Sequence, residues 1–313
     1  MKQEVYDRFK DYKKDHCWQY EIRQQNLISD LKEATLSKKE YKTLRISDFE
    51  FTYVDKLDKK QCEEIKQFIE RHEWLGKLPI WPTHRFTARL KKNGALAGVI
   101  VMATPNAFSN ILGEENKGKE KLISRGACIS WSPKNLASWL LMQSIKWMVK
   151  NTEFRAFSAY SDPEAKELGT IYQACNFIYL GQKFGSGSQY LDPAKPQRGW
   201  FGSSGFSDRS QIKRYAKKLE IEWQPEWIRR VGTNEKRPTT KINWKEIPEE
   251  IAHQIKQERK AHQARCQKRP SPTKHKYIYI LGCNKKETKE LYNKFKEINP
   301  TMVNLPYPNE RGK

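Results

Sequence analysis

Asp162, closing the run FRAFSAYSD, and Tyr172, ten positions later in LGTIYQACNF, are side chains whose types and spacing could do chemistry. A carboxylate such as Asp162 can serve as a base for a weak nucleophile. His84, which opens HRFTARL, and Asp162 are also plausible iron ligands, and tyrosine is a hard donor. Each residue has a plainer reading too. Asp162-Pro163 is an ordinary turn or helix-cap pair, His84 a satisfied and partly buried histidine, and Tyr172 a core residue. The aromatics Trp131, Trp139, Tyr160 and Tyr172, given a basic rim, would suit a splayed base; the two tryptophans read equally well as packing.

Six cysteines are scattered without a CxxC pair, which argues against a zinc ribbon or a disulfide framework and for reduced, mostly buried thiols. His262 and Cys266 are too isolated in the sequence to define a metal site. Charge is more informative. Across 313 residues, 59 Lys+Arg face 37 Asp+Glu, a formal net charge of +22. Such a surplus favours an acidic partner, nucleic acid first, because each phosphate contact releases a counterion. The 12% aromatic content argues against wholesale disorder. No stretch has the roughly 20 apolar residues of a membrane helix, and the opening MKQEVYDRFKDYKKDH lacks the apolar run of a secretory signal. The expectation is a soluble, cytoplasmic protein.

Alternation and helical spacing then place these residues on elements. Residues 49–57 read as a strand and 62–75 as a helix with Ile65, Phe68 and Ile69 on one face. Residues 84–90 and 95–103 flank Asn93-Gly94, the signal of a hairpin. A strand over 122–131 leads into a long helix, with Ser132 as cap, Pro133 in its first turn, and Leu136, Leu140, Leu141, Ile145, Met148 and Val149 as its apolar face. Strand 154–162, short helix 168–177 and strand 178–184 follow. The pattern predicts an α/β domain whose mixed, partly antiparallel sheet is flanked by helices. Residues 1–45 read as an N-terminal helical arm, 46–190 as the catalytic domain and 191–313 as a basic C-terminal extension. After Phe184, residues 185–208 look like a long loop or irregular hairpin, 255–276 holds eight Lys/Arg against the single acid Glu258, and YIYILG begins a small strand–helix appendix.

The elements from 122 to 184 resemble the acyl-CoA-binding half of the GNAT acyltransferase superfamily, most clearly through IYQACNFIYLG (residues 171–181). That resemblance gives Tyr172 the role of protonating the leaving thiolate of CoA, with Phe177 beneath it. It puts ISWSPKNLASW where the CoA pyrophosphate binds, with Lys134 and Asn135 as cofactor-binding residues at a helix N-terminus suited to phosphate. The superfamily's glycine-rich R/Q-x-x-G-x-G/A loop is replaced here by Pro133, Lys134, Asn135 and Leu136. One branch is closer: KNLASW, YSDP and ELGTIYQACNFIYLG resemble the Mom family, named for the Mu phage DNA-modification protein, over roughly residues 82–181.

The Mom resemblance implies a transferase that installs a carbamoylmethyl (acetamido) group on N6 of adenine in DNA, protecting phage genomes from host restriction. It implies acetyl-CoA or a related small donor, and an iron ion at the site. Carried over by position, the functional residues are His84, Arg125, Ser138, Asp162 and Tyr172; Arg85 stands where the family tends to have tyrosine after the histidine. Arg125 also reads as a solvated strand residue. The N6 lone pair is delocalised into the ring, so it needs a base or metal, and an adenine inside a duplex must be flipped out or otherwise exposed. The basic C-terminal third supplies candidate DNA-binding residues: Arg214, Lys217, Lys218, Arg229, Arg230, Arg259, Lys260, Arg265, Lys268 and Arg269. Two other functions stay open. One is a GNAT-like acyl or aminoacyl transfer to another modified DNA base, a tRNA base or a protein amine. The other is a GNAT-derived DNA-binding protein without catalysis, for which the altered pyrophosphate loop is the best support.

Overall fold

The computed structural model describes residues 17–79, 81–105, 110–184, 187–231, 239–302 and 305–309. It divides into two compact units, one of Asp11–Phe184 with Pro272–Lys313 and one centred on Gly185–Ser271.

The first unit is built on a seven-stranded sheet. Its strands are β1 (Phe49–Val54), β2 (Pro82–Leu90), β3 (Leu96–Ala103), β4 (Glu120–Cys128), β5 (Ala156–Ser161), β6 (Ile178–Phe184) and, from near the end of the chain, β12 (Thr273–Ile280). The spatial order is β1-β2-β3-β4-β5-β12-β6. Every pairing is antiparallel except β4 with β5, which is parallel. This is the mixed, partly antiparallel sheet that the sequence predicts. Helix α3 (Lys59–His72) starts where Asp58 accepts the Gln61 N–H, and buries Ile65, Phe68 and Ile69 as their spacing requires. The hairpin turns at Gly94, whose φ of +73 favours a residue without Cβ. Helix α4 (Leu136–Asn151) buries the whole predicted apolar face. Its start differs from expectation. Ser132 does not cap it: that hydroxyl accepts from Arg23, and Asn135 stands at the N-cap in the left-handed region.

The N-terminal arm is part of this unit. Helix α1 (Trp18–Glu33) buries Trp18, Ile22, Asp30 and Leu31, and the short α2 (Glu40–Thr43) follows it. Asp30 is the hub that fixes α1. Its carboxylate accepts from Arg71 at 2.7 Å and from the Ser130 hydroxyl at 2.6 Å, so one fully buried side chain ties α1 to α3 and to the segment leading into α4.

The stretch from 191 onward, expected as one basic extension, divides. Strand β12 is no appendix; it lies between β5 and β6, and helix α8 (Lys285–Ile298) buries Leu291 and Phe295 beside Ile278 and Ile280. Tyr277 and Ile278 are fully buried, which explains the density of apolar residues in YIYILG.

The second unit has its own small elements: strands β7 (Ser188–Leu191), β8 (Phe201–Gly202) and β11 (Gln267–Pro270) in one sheet, the ribbon β9 (Ile228–Val231) and β10 (Thr239–Ile242), and helices α6 (Arg209–Lys218) and α7 (Glu249–Arg265). The glycine-rich stretch after 185 is thus an irregular hairpin, β7 pairing with β8. Ile212, Tyr215 and Ala216 of α6 pack with Ile255 of α7, while Trp227, Ile247 and Ala252 form another small cluster.

Candidate functional site

Strands β4 and β5 run together only from Glu120↔Ala156 to Ile123↔Ala159. Beyond that point β4 stays with β3 as far as Cys128, and β5 stays with β12 as far as Ser161. The two parallel strands therefore part, and their last residues border a cavity of about 270 Å³. Ile123, Gly126 and Ala127 line it from β4, Tyr160 and Ser161 from β5, Ala137 and Leu141 from α4, and Gln19 and Arg23 from α1. The rim opposite the strands is Glu167 to Tyr172, with Glu73 from the end of α3.

Tyr172 stands on α5 (Thr170–Ala174), a helix made possible by Gly169, whose φ is +69. A Cβ there would lie 2.5 Å from the Tyr277 ring, so Gly169 also permits the close approach of that buried side chain. Tyr277 donates to the Leu168 carbonyl, and its ring lies 5.3 Å from that of Tyr172. Phe177 packs against Tyr172 at 5.3 Å, as the resemblance implies.

Two carboxylates that sequence reasoning did not single out face Tyr172. Glu73 is buried; its Oε2 accepts the N–H groups of Leu75 and Gly76, both at 3.0 Å. Burial pushes its carboxyl up to about 7, against the Arg125 charge and those two N–H groups, which pull it down. Glu167 accepts from the Trp74 indole at 3.1 Å and from the Asp162 N–H at 3.2 Å. Its packed surroundings, and then the nearby Glu73 and Asp162 charges, raise it to about 8. The same desolvation, with the Glu167 and Glu73 charges, raises the Tyr172 phenol above its ordinary range, while Arg125 opposes the shift. The charges of Glu73, Glu167 and Arg125 thus all act on Tyr172. The only sequence signal for the two acids is position: Glu73 ends the helix before Trp74, and Glu167 precedes the Leu-Gly-Thr-Ile-Tyr block.

The structure distributes the predicted residues unevenly. Asp162 is buried but committed: Oδ1 accepts the Glu164 N–H at 3.0 Å, and Oδ2 takes Lys274 at 3.1 Å. Its backbone N–H holds Glu167, which lines the cavity while the Asp162 side chain does not. Arg125 anchors on the Lys77 carbonyl at 2.8 Å and adds positive charge to the site. Ser138 donates to the Asn135 carbonyl at 3.0 Å within the first turn of α4, and its neighbour Ala137 lines the cavity. Lys134 and Asn135 are exposed where α4 begins. Asn135 has φ +70, the conformation glycine adopts most freely and asparagine tolerates, so the loop bends without the glycines of the superfamily pattern. Of the aromatics, Tyr160 and Tyr172 line the cavity, Trp131 is fully buried against Phe49, and Trp139 packs on the core.

His84 lies elsewhere. It pairs with Met102, Met102 with Ile123 and Ile123 with Ala159, so three strand spacings, about 14 Å, separate it from the β5 row before Asp162 is reached. Its ring sits among Tyr53, Trp147 and Phe154, and burial with the Lys121 and Arg85 charges lowers it to about 4. Two cations at its side disfavour a metal ion, and the distance prevents sharing one with Asp162. The expected His84–Asp162 iron site does not fit these residues.

The basic residues lie on the second unit. Arg214, Lys217, Arg229, Lys260 and Lys268 are exposed. Lys218 and Arg265 are exposed but pair with Glu258 at 2.7 and 3.7 Å. Arg259 donates to the Ser207 hydroxyl, and Arg269 is held by Gln189 and stacks over Trp200 at 4.4 Å, so these two also brace the unit. The Arg230 side chain lies outside the described residues. Among the described residues no helix is long and apolar enough to cross a membrane.

Residues 51–195 match the model of the Mom protein family. Solved structures similar to this chain include a ribosomal-protein-S5-alanine acetyltransferase from Vibrio fischeri, at 12% identity over 46% of this chain and 86% of that one, with a TM-score of 0.33. A Bacillus subtilis acetyltransferase in complex with CoA matches at 10% identity over 74% of this chain and 99% of that one, TM-score 0.31. A spermidine/spermine N-acetyltransferase from Vibrio cholerae matches at 12% over 45% and 85%, TM-score 0.31. No curated protein matches the sequence.

Proposed function

Taking as premise that residues 51–195 are a Mom-family segment, we propose that this protein is a DNA-modifying transferase that adds a carbamoylmethyl group to N6 of adenine. One observation carries the reading: two acids raised to about 7 and 8 meet a tyrosine across a cavity between parting strands. The adenine amine is a poor nucleophile and must lose a proton as it is substituted. A carboxylate whose affinity for protons lies near neutrality is matched to receive it. Glu167, held by Trp74 and the Asp162 backbone, is the base; Glu73 raises its affinity for protons, and Asp162 positions it through the main chain. As the bond from N6 to the CH2 carbon of the transferred group forms, the bond from that carbon to the rest of the donor breaks, Glu167 takes the N6 proton and Tyr172 supplies one to the departing group. Arg125 offsets the negative charge the site gathers. At about 270 Å³ the cavity suits the reacting base and the small transferred group, not a whole donor. The donor must carry the whole carbamoylmethyl group on a leaving group, since an acetyl thioester lacks the amide nitrogen; its remainder would extend toward Lys134, Asn135 and the start of α4, where N–H groups suit phosphate. The target adenine is flipped or exposed, and the exposed basic residues of the second unit hold duplex phosphates without reading sequence.

The test is digestion and mass spectrometry of DNA from cells expressing the protein. An adenosine species heavier by one acetamido unit, absent with Glu167→Gln, is the expected result. Unmodified adenine with wild-type protein overturns the reading, and a heavier species on another base, tRNA or a protein amine moves the activity to that acceptor.

A further inference from the structure

In the second unit, three side chains of metal-ligating type converge where β7, α7 and β11 meet. Asp192 follows the last residue of β7; His262 lies in the last turn of α7, and Cys266 is its C-cap. The convergence follows from chain geometry. His262 and Cys266 are four residues apart, about one helical turn, so both look out from the same end of α7. Strand β11 pairs with β7 through Gln267↔Leu191, which sets Cys266 opposite Asp192 one step along the same register. The His262 Nε2 lies 3.1 Å from the Asp192 Oδ2, and one ligand atom from each of the three residues lies within 4.8 Å of the others. All three are buried, with relative exposures of 3%, 3% and 8%.

We propose that Asp192, His262 and Cys266 bind a zinc-class divalent ion. The surroundings are those a metal-bound imidazole needs. The other ring nitrogen, Nδ1, meets the Tyr215 hydroxyl at 2.7 Å, which fixes the ring and leaves Nε2 for the ion. Phe206 stands edge-on to the ring at 5.0 Å and shields it from water. A buried His–Asp pair is satisfied with two members and has no use for a thiol; a borderline ion that prefers sulfur and nitrogen does. Binding converts the Cys266 thiol to a metal-bound thiolate and releases its proton to solvent, so carboxylate and thiolate together balance the ion's charge. Three protein donors leave one tetrahedral position for water. The site would clamp a unit whose separate apolar clusters are small, and it is independent of the transferase reading.

The test uses the reduced full-length protein, stripped with chelator and titrated with Co²⁺ and then Zn²⁺. One Co²⁺ per chain with a thiolate-to-cobalt charge-transfer band, displaced by Zn²⁺, is expected, as is a Tm that rises with Zn²⁺. Cys266→Ser, close in size to the native residue, should lose the charge-transfer band and bind Zn²⁺ at least about tenfold more weakly. Wild-type protein that shows neither the band nor a zinc-dependent Tm overturns the proposal, and so does a band that persists in Cys266→Ser.

Discussion

Gly169→Ala separates a backbone requirement from a steric one at the motif that carries Tyr172. A residue with a Cβ at φ +69 is strained by roughly 1–2 kcal/mol in the left-handed conformation. The new Cβ would also sit 2.5 Å from Cε2 and 2.8 Å from Cζ of Tyr277. That side chain is fully buried and held by the Leu168 carbonyl, so it cannot swing away freely. Overpacking of this kind costs about 1–3 kcal/mol more. The total, about 2–5 kcal/mol, corresponds to a fall in Tm of roughly 5–20 °C for a domain of this size. Gly94→Ala is the control: its φ is +73, yet nothing lies within 4 Å of the added Cβ, so only the backbone strain applies. Calorimetry of both variants, with DNA modification assayed where each is still folded, gives the comparison. Gly169→Ala should melt several degrees below Gly94→Ala and lose modification at least about tenfold, because Tyr277 adjoins the Tyr172 ring. Equal melting of the two variants would refute the close-approach reasoning.

Further expectations follow from the same side chains. With Glu167 as the proposed base, active only when ionised and raised to about 8, modification should climb as pH rises from 6 to about 8.5; Glu167→Gln should flatten the profile and lower the rate about 100-fold. For stability the sign is opposite. Acids that hold protons more tightly when folded stabilise fully below about 4.5, and that contribution is lost as pH rises through 7 and 8, which melting across that range checks. Tyr172→Phe keeps the ring packing and should leave Tm within a few degrees while modification falls about 10²-fold or more. Asp30→Ala leaves Arg71 and Ser130 without their buried partner and should cost about 3–5 kcal/mol by denaturant unfolding. Lys217→Glu with Lys260→Glu should weaken duplex binding and reduce the slope of log affinity against log salt by roughly 0.9 for each phosphate no longer neutralised.

Much of the fold was legible because it is written in local periodicity. The apolar face of α4, the Asn-Gly turn and the β5–α5–β6 run all stand where spacing puts them. What was not legible depends on distant pairing. YIYILG looks like an isolated strand because its partners, β5 and β6, come about 90 residues or more earlier; only burial on both sides accounts for its composition. Of the Asp162–Tyr172 pair, Tyr172 lines the candidate cavity and Asp162 does not. Asp162 is consumed by a local turn and by Lys274, while Glu167, five residues on, is carried into the cavity by that same turn. Glu73 escaped notice because its role comes from desolvation beside α1, which no sequence window contains. The Asp192–His262–Cys266 group was invisible for the same reason: the aspartate is 70 positions from the histidine.

The place of β12 has a consequence during synthesis. Its two neighbours, β5 and β6, leave the ribosome first, and each must wait with an unpaired edge while the residues between Phe184 and Thr273 are made. At about 5–20 residues per second that interval is roughly 4–18 s. Bare strand edges invite pairing with other chains, so a nascent chain stalled or cut short in this stretch would be prone to aggregate. A premature stop anywhere before Thr273 removes the strand that joins the edge strand β6 to the rest of the sheet, and with it the support of the wall that carries Tyr160 and Ser161.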